Sequence, residues 1–509
     1  MKNIIPQEIV NILEKLQASG YDAYIVGGCV RDYLLGRKPK DWDITTSAKP
    51  EEIQEVFPGS FYENTFGTVT ILTENEDAAL RAIEITPFRI EGKYSDRRHP
   101  DEIKFAKTLK EDLSRRDFTI NAMAIKQNKI ADYFEGKEDL EKKIIKTVGN
   151  PDERFQEDAL RIMRAARLAA ELDFNIEKKT AEAIKNNSEL IKEISVERVR
   201  DELVKILSIP SKNPVGKMKF WQESELTDSD LASGAIKGLE LLRDLGILKH
   251  IIPELEAGMG VTQNKHHIFT VWEHNFRAFA YAVKMDFSFE VKIASLFHDI
   301  GKPHSKRGEG PDSTFYGHEV VGAKITSGIL NHLKFPKNQR DKIVKLVRWH
   351  LFLSDPDKIT LSAVKRVVRN VGQENIWELI NVRKADRIGS GVPKAEPFRL
   401  RTYKALIDQA LREPISLKML KINGDYIMKI LNIPPGPKIG LILKSIMGEV
   451  LDDASKNDED YLERRIKELN ELSEEKLKKL SASGEEKWEE IEEGEIKEIK
   501  KKHHVDNGV

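Results

Sequence analysis

GGCVRDYLLGRKPKDWDITT, residues 27–46, sets a glycine pair and two aspartates on either side of a short connection. It follows YDAYIV, residues 21–26, whose aromatic and aliphatic content predicts a strand running into a Gly27-Gly28 turn. Asp41, Trp42, Asp43 and Ile44 predict the next strand. Positions i and i+2 of a strand face the same way, so Asp41 and Asp43 point at one spot. Two carboxylates so placed repel unless a cation sits between them, and Mg²⁺ favours carboxylate oxygens together with substrate phosphates. Two such ions about 4 Å apart activate an attacking oxygen and stabilise a leaving one. Glu84, between Ile83 and Ile85, is a third candidate carboxylate on a neighbouring strand. The glycines, Gly28 in particular, let backbone N–H groups approach a triphosphate, and Arg31 adds a charged donor. Asp-x-Asp and Gly-Gly are each common by chance. Their combination at this spacing, in strand context, is what points to nucleotide chemistry.

Working outward, apolar residues at helical spacing (Ile5, Ile9, Ile12, Leu13, Leu16) predict a helix over 4–19, stopped by Gly20. TSAKPEEIQEVF predicts a capped helix with Pro50 at its start, and FGTVTIL and AIEITPFR predict two strands. The first block is therefore mixed α/β. From about Asp139 the texture becomes helical. EDALRIMRAARLAAEL (157–172) and SVERVRDELVKIL (195–207) predict two helices, the second opened by Ser195 as a cap. Residues 211–238 read as a linker or irregular insert. Helical segments then continue to the end, and the stretch after about Ala454 is dominated by Glu and Lys, a solvated helix or partly disordered tail.

The 509 residues suggest several domains, and 83 Lys and Arg against 84 Asp and Glu give a net charge of −1. That balance excludes a uniformly basic nucleic-acid binder of the histone type but not a local basic face. Cys29 is the only cysteine, so neither an intramolecular disulfide nor a cysteine-based zinc site can form, and every metal ligand must be His or carboxylate. The start lacks a signal-peptide apolar block, and no run reaches the roughly 18 apolar residues of a membrane span. The expectation is a cytoplasmic protein.

The glycine turn and paired aspartates resemble the polymerase-β-type nucleotidyltransferase superfamily. More specifically, residues 27–46 resemble the first motif of class II tRNA nucleotidyltransferases, the CCA-adding enzymes, and of the related bacterial poly(A) polymerases. SRRDFTINAMAI (114–125) resembles their second motif, EDALRIMRAARLAAEL the nucleobase-selecting motif, and ERVRDELVKIL the helix after it. Asp158 and Arg161, at i and i+3 of one predicted helix, share a face. A carboxylate accepts from the exocyclic amine of cytosine or adenine, a guanidinium donates to the adjacent ring atom, and uracil and guanine leave these groups unpaired. The resemblance implies that this pair is an amino-acid template for CTP and ATP. It also implies that Arg164 and Arg167, with Arg115, reach the triphosphate. EGKYSDRRHPDEIKF (91–105) resembles the family's flexible loop. Enzymes adding only CC lack part of that loop, and here it is complete, which favours full CCA addition or A addition. Arg97 and Arg98 in this loop and the arginines at 161–167 would supply a local basic cleft.

A second constellation occupies the helical block. His298-Asp299 ends the apolar run VKIASLFHDIGK, with His274 upstream, Asp386 downstream, and His318 and His350 between. Imidazole plus carboxylate suits a divalent ion, and the set can hold one or two. The order His…His-Asp…Asp resembles the HD superfamily of metal-dependent phosphohydrolases, over about residues 265–390. His266 and His267 are left without a role.

The expected fold is thus an α+β nucleotidyltransferase head with a polymerase-β-like mixed sheet, followed by all-α neck, HD and tail domains. The expected partition is head 1–138, neck 139–210, linker and helical body 211–264, HD domain 265–392, tRNA-binding tail 393–470 and charged extension 471–509. The expected reaction is template-independent addition of CCA from CTP and ATP to tRNA 3′ ends, with Mg²⁺ in the head. A divalent metal is expected in the HD domain, which would act as a metal-dependent phosphohydrolase; the other reading of that domain is a degenerate HD fold serving only as a tRNA-binding body. The expectation includes no membrane and no protein partner. The alternatives are an A-adding enzyme or poly(A) polymerase, against which the mixed-charge tail argues. Of another class are a regulatory uridylyltransferase and a non-catalytic RNA-binding protein. The first would show a ligand-sensing end, the second the loss of Asp41 or Asp43.

Overall fold

The computed structural model describes residues 5–62, 67–91, 103–127, 129–211, 226–232, 234–264, 268–352, 354–412 and 417–505. Its contacts group into two compact units, Met1–His350 with Asn381–Pro393, and Leu351–Ile380 with Lys394–Val509.

The first unit opens with a mixed sheet. Its strands are β1 (Ala23–Val26), β2 (Asp43–Thr46), β3 (Phe61–Tyr62), β4 (Val69–Leu72) and β5 (Ala82–Pro87). A separate hairpin, β6 (Arg89–Glu91) and β7 (Ile103–Phe105), precedes β8 (Met123–Lys126) and β9 (Lys129–Asp132). Seven of them form one sheet in the order β3-β4-β5-β2-β1-β8-β9. Within this sheet β2 and β5 pair in parallel and the other neighbours antiparallel, with Asp43 opposite Glu84 and Ile44 opposite Ile85. Alternation explains the burial of β5. Ile83 and Ile85 are fully buried while Glu84 between them is exposed. Each such isoleucine contributes about 2 kcal/mol by leaving water, enough to hold the register that sets Glu84 beside Asp43. The helices Gln7–Ala18 and Pro50–Val56 form as their sequences predict, the latter with the Glu52 side chain accepting from the Lys49 N–H.

Three expectations are corrected. Asp41 lies in a bend ahead of β2, which begins at Asp43. EDALRIMRAARLAAEL is two helices, Pro151–Glu157 and Leu160–Leu172, with Asp158 extended between them. Its side chain caps the second, accepting from the Leu160 N–H at 3.1 Å, an option short acidic residues offer in place of helix continuation. Residues 234–238, read as irregular, open the helix Gly234–Asp244, whose apolar face packs on the neck. Ser195 does stand at the N-cap of Val196–Leu207, but its side chain makes no cap hydrogen bond.

Apart from a short parallel pairing of Ile144–Ile145 with Asn175–Ile176, the rest of the first unit is mainly helical, with Val271–Lys284, Phe289–Phe297, His318–His332 and Lys337–Trp349 packed around a buried centre. In the second unit Gly424–Leu431, Pro437–Asp452, Glu459–Asn470 and Glu474–Lys502 share a core of Ile427, Ile442, Ile446, Leu462, Ile466, Leu469 and Leu477. The Glu- and Lys-rich end, read as a solvated helix or disordered tail, is helical over Glu474–Lys502 and largely exposed, with Leu477, Ser481 and Gly484 buried. No helix among the described residues is long and apolar enough to cross a membrane.

Candidate active site and metal centre

Asp41 and Asp43 face a cleft of about 690 Å³ bounded by the head sheet and the Leu160–Leu172 helix. Gly27 leaves room for Arg116 and Asp43. Its φ is +89°, and a Cβ there would lie 2.9 Å from Arg116 Nη1 and 3.5 Å from Asp43 Oδ2. The Asp43 carboxyl is pushed up to about 6, by burial first and by the neighbouring Asp41 charge next, with Glu84 adding to the effect and Arg116 opposing it. Negative charge is thus crowded at hard oxygen donors, the setting a divalent cation relieves. Glu84 reaches Asp43 along the sheet but does not line the cleft.

Gly28, Arg31, Arg164 and Arg167 also line the cleft. Arg31 is held by Asn121 Oδ1 at 2.7 Å and by Asp32 at 2.9 Å. Arg164 donates twice to Asp117, which also accepts from the Phe118 N–H and the Asn121 amide. Burial would raise the Asp117 carboxyl. The Arg164 guanidinium and the Asn121 hydrogen bond outweigh it and hold the group well below the usual carboxylate range. Arg167 bonds Glu202 and, at 3.1 Å, Glu171.

Three of the expected nucleotide-binding residues stand apart from this cleft. Arg115 pairs with Asp112 at 2.9 Å, and it is Arg116 and Asp117 that line the site. Arg161 is buried, donating to Glu157, Arg154 O and Arg115 O. Asp158 accepts from Arg198 at 3.3 Å. Spacing carried a signal for the first two, since Asp112–Arg115 is an i,i+3 pair and Glu157–Arg161 an i,i+4 pair. Asp117 and Asn121 fall in the SRRDFTINAMAI stretch, but spacing gave no signal for their roles, which depend on contacts with Arg164 and Arg31 on distant helices. Arg97, Arg98, His266 and His267 lie outside the described residues. Cys29 is buried, its thiol pushed up to about 12 by burial first, as packing rather than redox use requires.

All six residues of the second constellation meet at one buried point. His274 Nε2 is 2.8 Å from His298 Nε2, 3.1 Å from Asp299 Oδ2 and 3.3 Å from Asp386 Oδ1. His318 and His350 approach the other oxygen, Asp299 Oδ1, at 3.1 and 3.6 Å. The Nδ1 atoms of His298, His318 and His350 face the carbonyls of Ser295, Phe315 and Val347 at 2.7–2.8 Å. With Nδ1–H donated outward, each Nε2 lone pair is aimed inward, the arrangement that orients imidazole for a metal. Two triads result, His274-His298-Asp299 and Asp299-His318-His350, with Asp299 common to both. This donor set fits one or two divalent ions.

A mixed-sheet head with paired aspartates, a helical neck and an HD-type centre define the class, and comparison with known proteins agrees. Residues 23–146 match the poly A polymerase head domain, 173–212 the probable RNA and SrmB-binding site of polymerase A, and 271–389 the HD domain. The CCA-adding enzyme of Staphylococcus haemolyticus is 33% identical over 462 residues, 90% of this chain and 96% of that protein. That of Lactobacillus helveticus is 52% identical over 197 residues, 38% of this chain, so the match spans about half (48%) of that relative's length. The Bacillus stearothermophilus CCA-adding enzyme, solved in complex with CTP, superposes with a TM-score of 0.56 at 27% identity, covering 92% of this chain and 98% of that one. The chain belongs to the family of CCA-adding enzymes.

Proposed function

We propose that the protein is a cytoplasmic tRNA nucleotidyltransferase that adds CCA, using CTP and ATP. The observation that carries this is the convergence of Asp41 and Asp43 with Arg116, Arg164 and Arg167 on one cleft. The relatives are CCA-adding enzymes, one of them solved with CTP. In the reaction the tRNA 3′-oxygen bonds to the α-phosphorus, the α–β bridging bond breaks, and pyrophosphate leaves. Asp41 and Asp43 would hold up to two Mg²⁺ ions. When bound, these supply charge neutralisation and Lewis acidity at the α-phosphate. The arginines bind and orient the triphosphate, and Arg164 is itself fixed by Asp117. Base selection falls to Asp158 and Arg161 by the family resemblance; they are paired here with Arg198 and Glu157 and would exchange those partners for the base, and Glu84 reinforces the carboxylate cluster from the neighbouring strand.

The test is incubation with tRNA transcripts ending before, within and after CCA, each with one labelled nucleotide. CMP and AMP incorporation in order supports the reading. Incorporation of A alone onto a CC end would demote it to A addition, and long A tails would favour a poly(A) polymerase.

A second activity has its own support. The inward-facing Nε2 atoms and shared Asp299 suit metal-assisted phosphoester hydrolysis at the HD centre. Asp43→Ala should abolish incorporation and spare hydrolysis, and His298→Ala the reverse.

A further inference from the structure

We propose that Thr70 is a positioning residue of the head site, its hydroxyl donating to the Glu84 carboxylate beside Asp43. The inference rests on the reading above that Glu84 reinforces the carboxylate cluster. Residues directly opposite one another in a sheet present their side chains to the same face. Thr70 of β4 stands opposite Glu84 of β5, and Glu84 stands opposite Asp43 of β2, so the three form one row across adjacent strands. The next row, Val69, Ile85 and Ile44, faces the other way and is fully buried in the core. Thr70 is only 5% exposed. Its Oγ1 is shielded from solvent and makes no hydrogen bond among the described residues. Buried polar groups are nearly always paired, so an orphan hydroxyl in line with the paired aspartates calls for an acceptor.

The two cross-strand neighbours of Thr70 are Phe61 and Glu84. The Phe61 ring offers no lone pair. The Glu84 carboxylate has about four, enough to accept from Thr70 alongside another partner. Like charges directly opposite one another repel, so Asp43 by itself does not fix where the Glu84 carboxylate stands. A donor on the far side of the same row does. It holds the carboxylate from one side and leaves lone pairs for a cation at the aspartates, which is how a supporting hydrogen bond orients a metal-binding carboxylate.

The experiment uses the full chain and tRNA lacking CCA. It follows CMP incorporation with Mg²⁺, and thermal melting without it, in the native protein, Thr70→Val, Thr70→Ser, Glu84→Gln and the double variant Thr70→Val with Glu84→Gln. Valine keeps the shape of threonine and removes the orphan hydroxyl. Thr70→Val is therefore expected to melt at or above the native temperature while kcat falls about tenfold and KM for CTP stays within about twofold. Thr70→Ser restores the hydroxyl and should recover most of kcat. In the double variant Thr70→Val should cost nothing beyond Glu84→Gln, because the two act through one contact. Native kcat in Thr70→Val with a reduced kcat in Glu84→Gln overturns the proposal and leaves the reading of Glu84 standing. Native kcat in both overturns the proposal together with that reading. A joint fall in kcat and melting temperature that serine does not rescue assigns Thr70 to packing and overturns the proposal, as does full additivity in the double variant. If Thr70→Val does not fold, Thr70→Ala takes its place, and native kcat in it overturns the proposal.

Discussion

Arg164 and Asp117, 47 residues apart in sequence, are joined by two hydrogen bonds to one carboxylate oxygen, 2.9 Å from Nε and 2.6 Å from Nη2. The contact ties the neck helix to the head beside the paired aspartates. Removing the guanidinium strands a buried carboxylate. Arg164→Ala should therefore lower stability at neutral pH by about 2 kcal/mol, less than a fully buried pair because Arg164's side chain is 38% exposed and water screens it. The Asp117 carboxyl is depressed in the fold, so its contribution is fully present above the unfolded value of about 4. It is lost as pH falls below that value toward the folded one. Denaturant titrations of native and variant protein should converge through this acid range. A gap independent of pH would contradict the assignment.

Asp43 behaves in the opposite sense. Its carboxyl is pushed up to about 6 by burial first and by Asp41 second, so in the metal-free protein a proton competes with the cation below that pH. Calorimetric titration with Mg²⁺ should show affinity rising as pH increases through about 6. Asp41→Asn removes the second cause. It should move the inflection toward acid while weakening binding overall. An inflection that stays in place would mean that the titrating group is another one.

How much of this was legible depended on whether the signal was local. Ile83 and Ile85 flanking Glu84 announced a strand with an outward carboxylate, because strand period and burial are written in adjacent residues. The six residues of the second constellation were readable as a set because their types and their order, His…His-Asp…Asp, are legible along the chain, and the structure buries all six together. The Asp158 break was not readable. Arg154, Gln156 and Glu157 before it and Ala159, Leu160 and Arg161 after it favour helix continuation, and the break is fixed by a cap and by Arg198, which lies 40 residues away. Nor was the choice of Arg116 over Arg115 at the cleft, since Asp112 could capture either and tertiary packing decides.

The HD centre gives a prediction independent of nucleotide addition. Asp299 belongs to both triads, and His298 to one. Metal analysis after purification should therefore find Asp299→Asn emptied more completely than His298→Ala. Chelation should lower the melting temperature of the native protein and leave that of Asp299→Asn nearly unchanged, since binding to the folded state alone is what stabilises. CMP and AMP incorporation by either variant should stay within about twofold of native, as expected for sites without shared partners. A metal-free native protein with an unaltered melting curve on adding Mn²⁺, Zn²⁺ or Mg²⁺ would contradict the reading.

The charged C-terminal helix offers a test with an internal control. Gly448 and Gly484 sit where Pro437–Asp452 crosses Glu474–Lys502, and a Cβ on Gly484 would lie 2.3 Å from the Lys444 carbonyl oxygen. Backbone has to move to admit even a methyl group, so Gly484→Ala should destabilise the second unit by about 2 kcal/mol. Gly494 is on the same helix, and a Cβ there meets nothing within 4 Å. Gly494→Ala gains helix propensity without a clash and should stabilise by up to about 1 kcal/mol. The two substitutions are chemically identical and differ only in what faces them. Opposite signs in denaturant unfolding followed by limited proteolysis of the C-terminal segment would establish the crossing. Equal effects would mean that the helix is solvated on both faces, as its Glu and Lys content alone suggests.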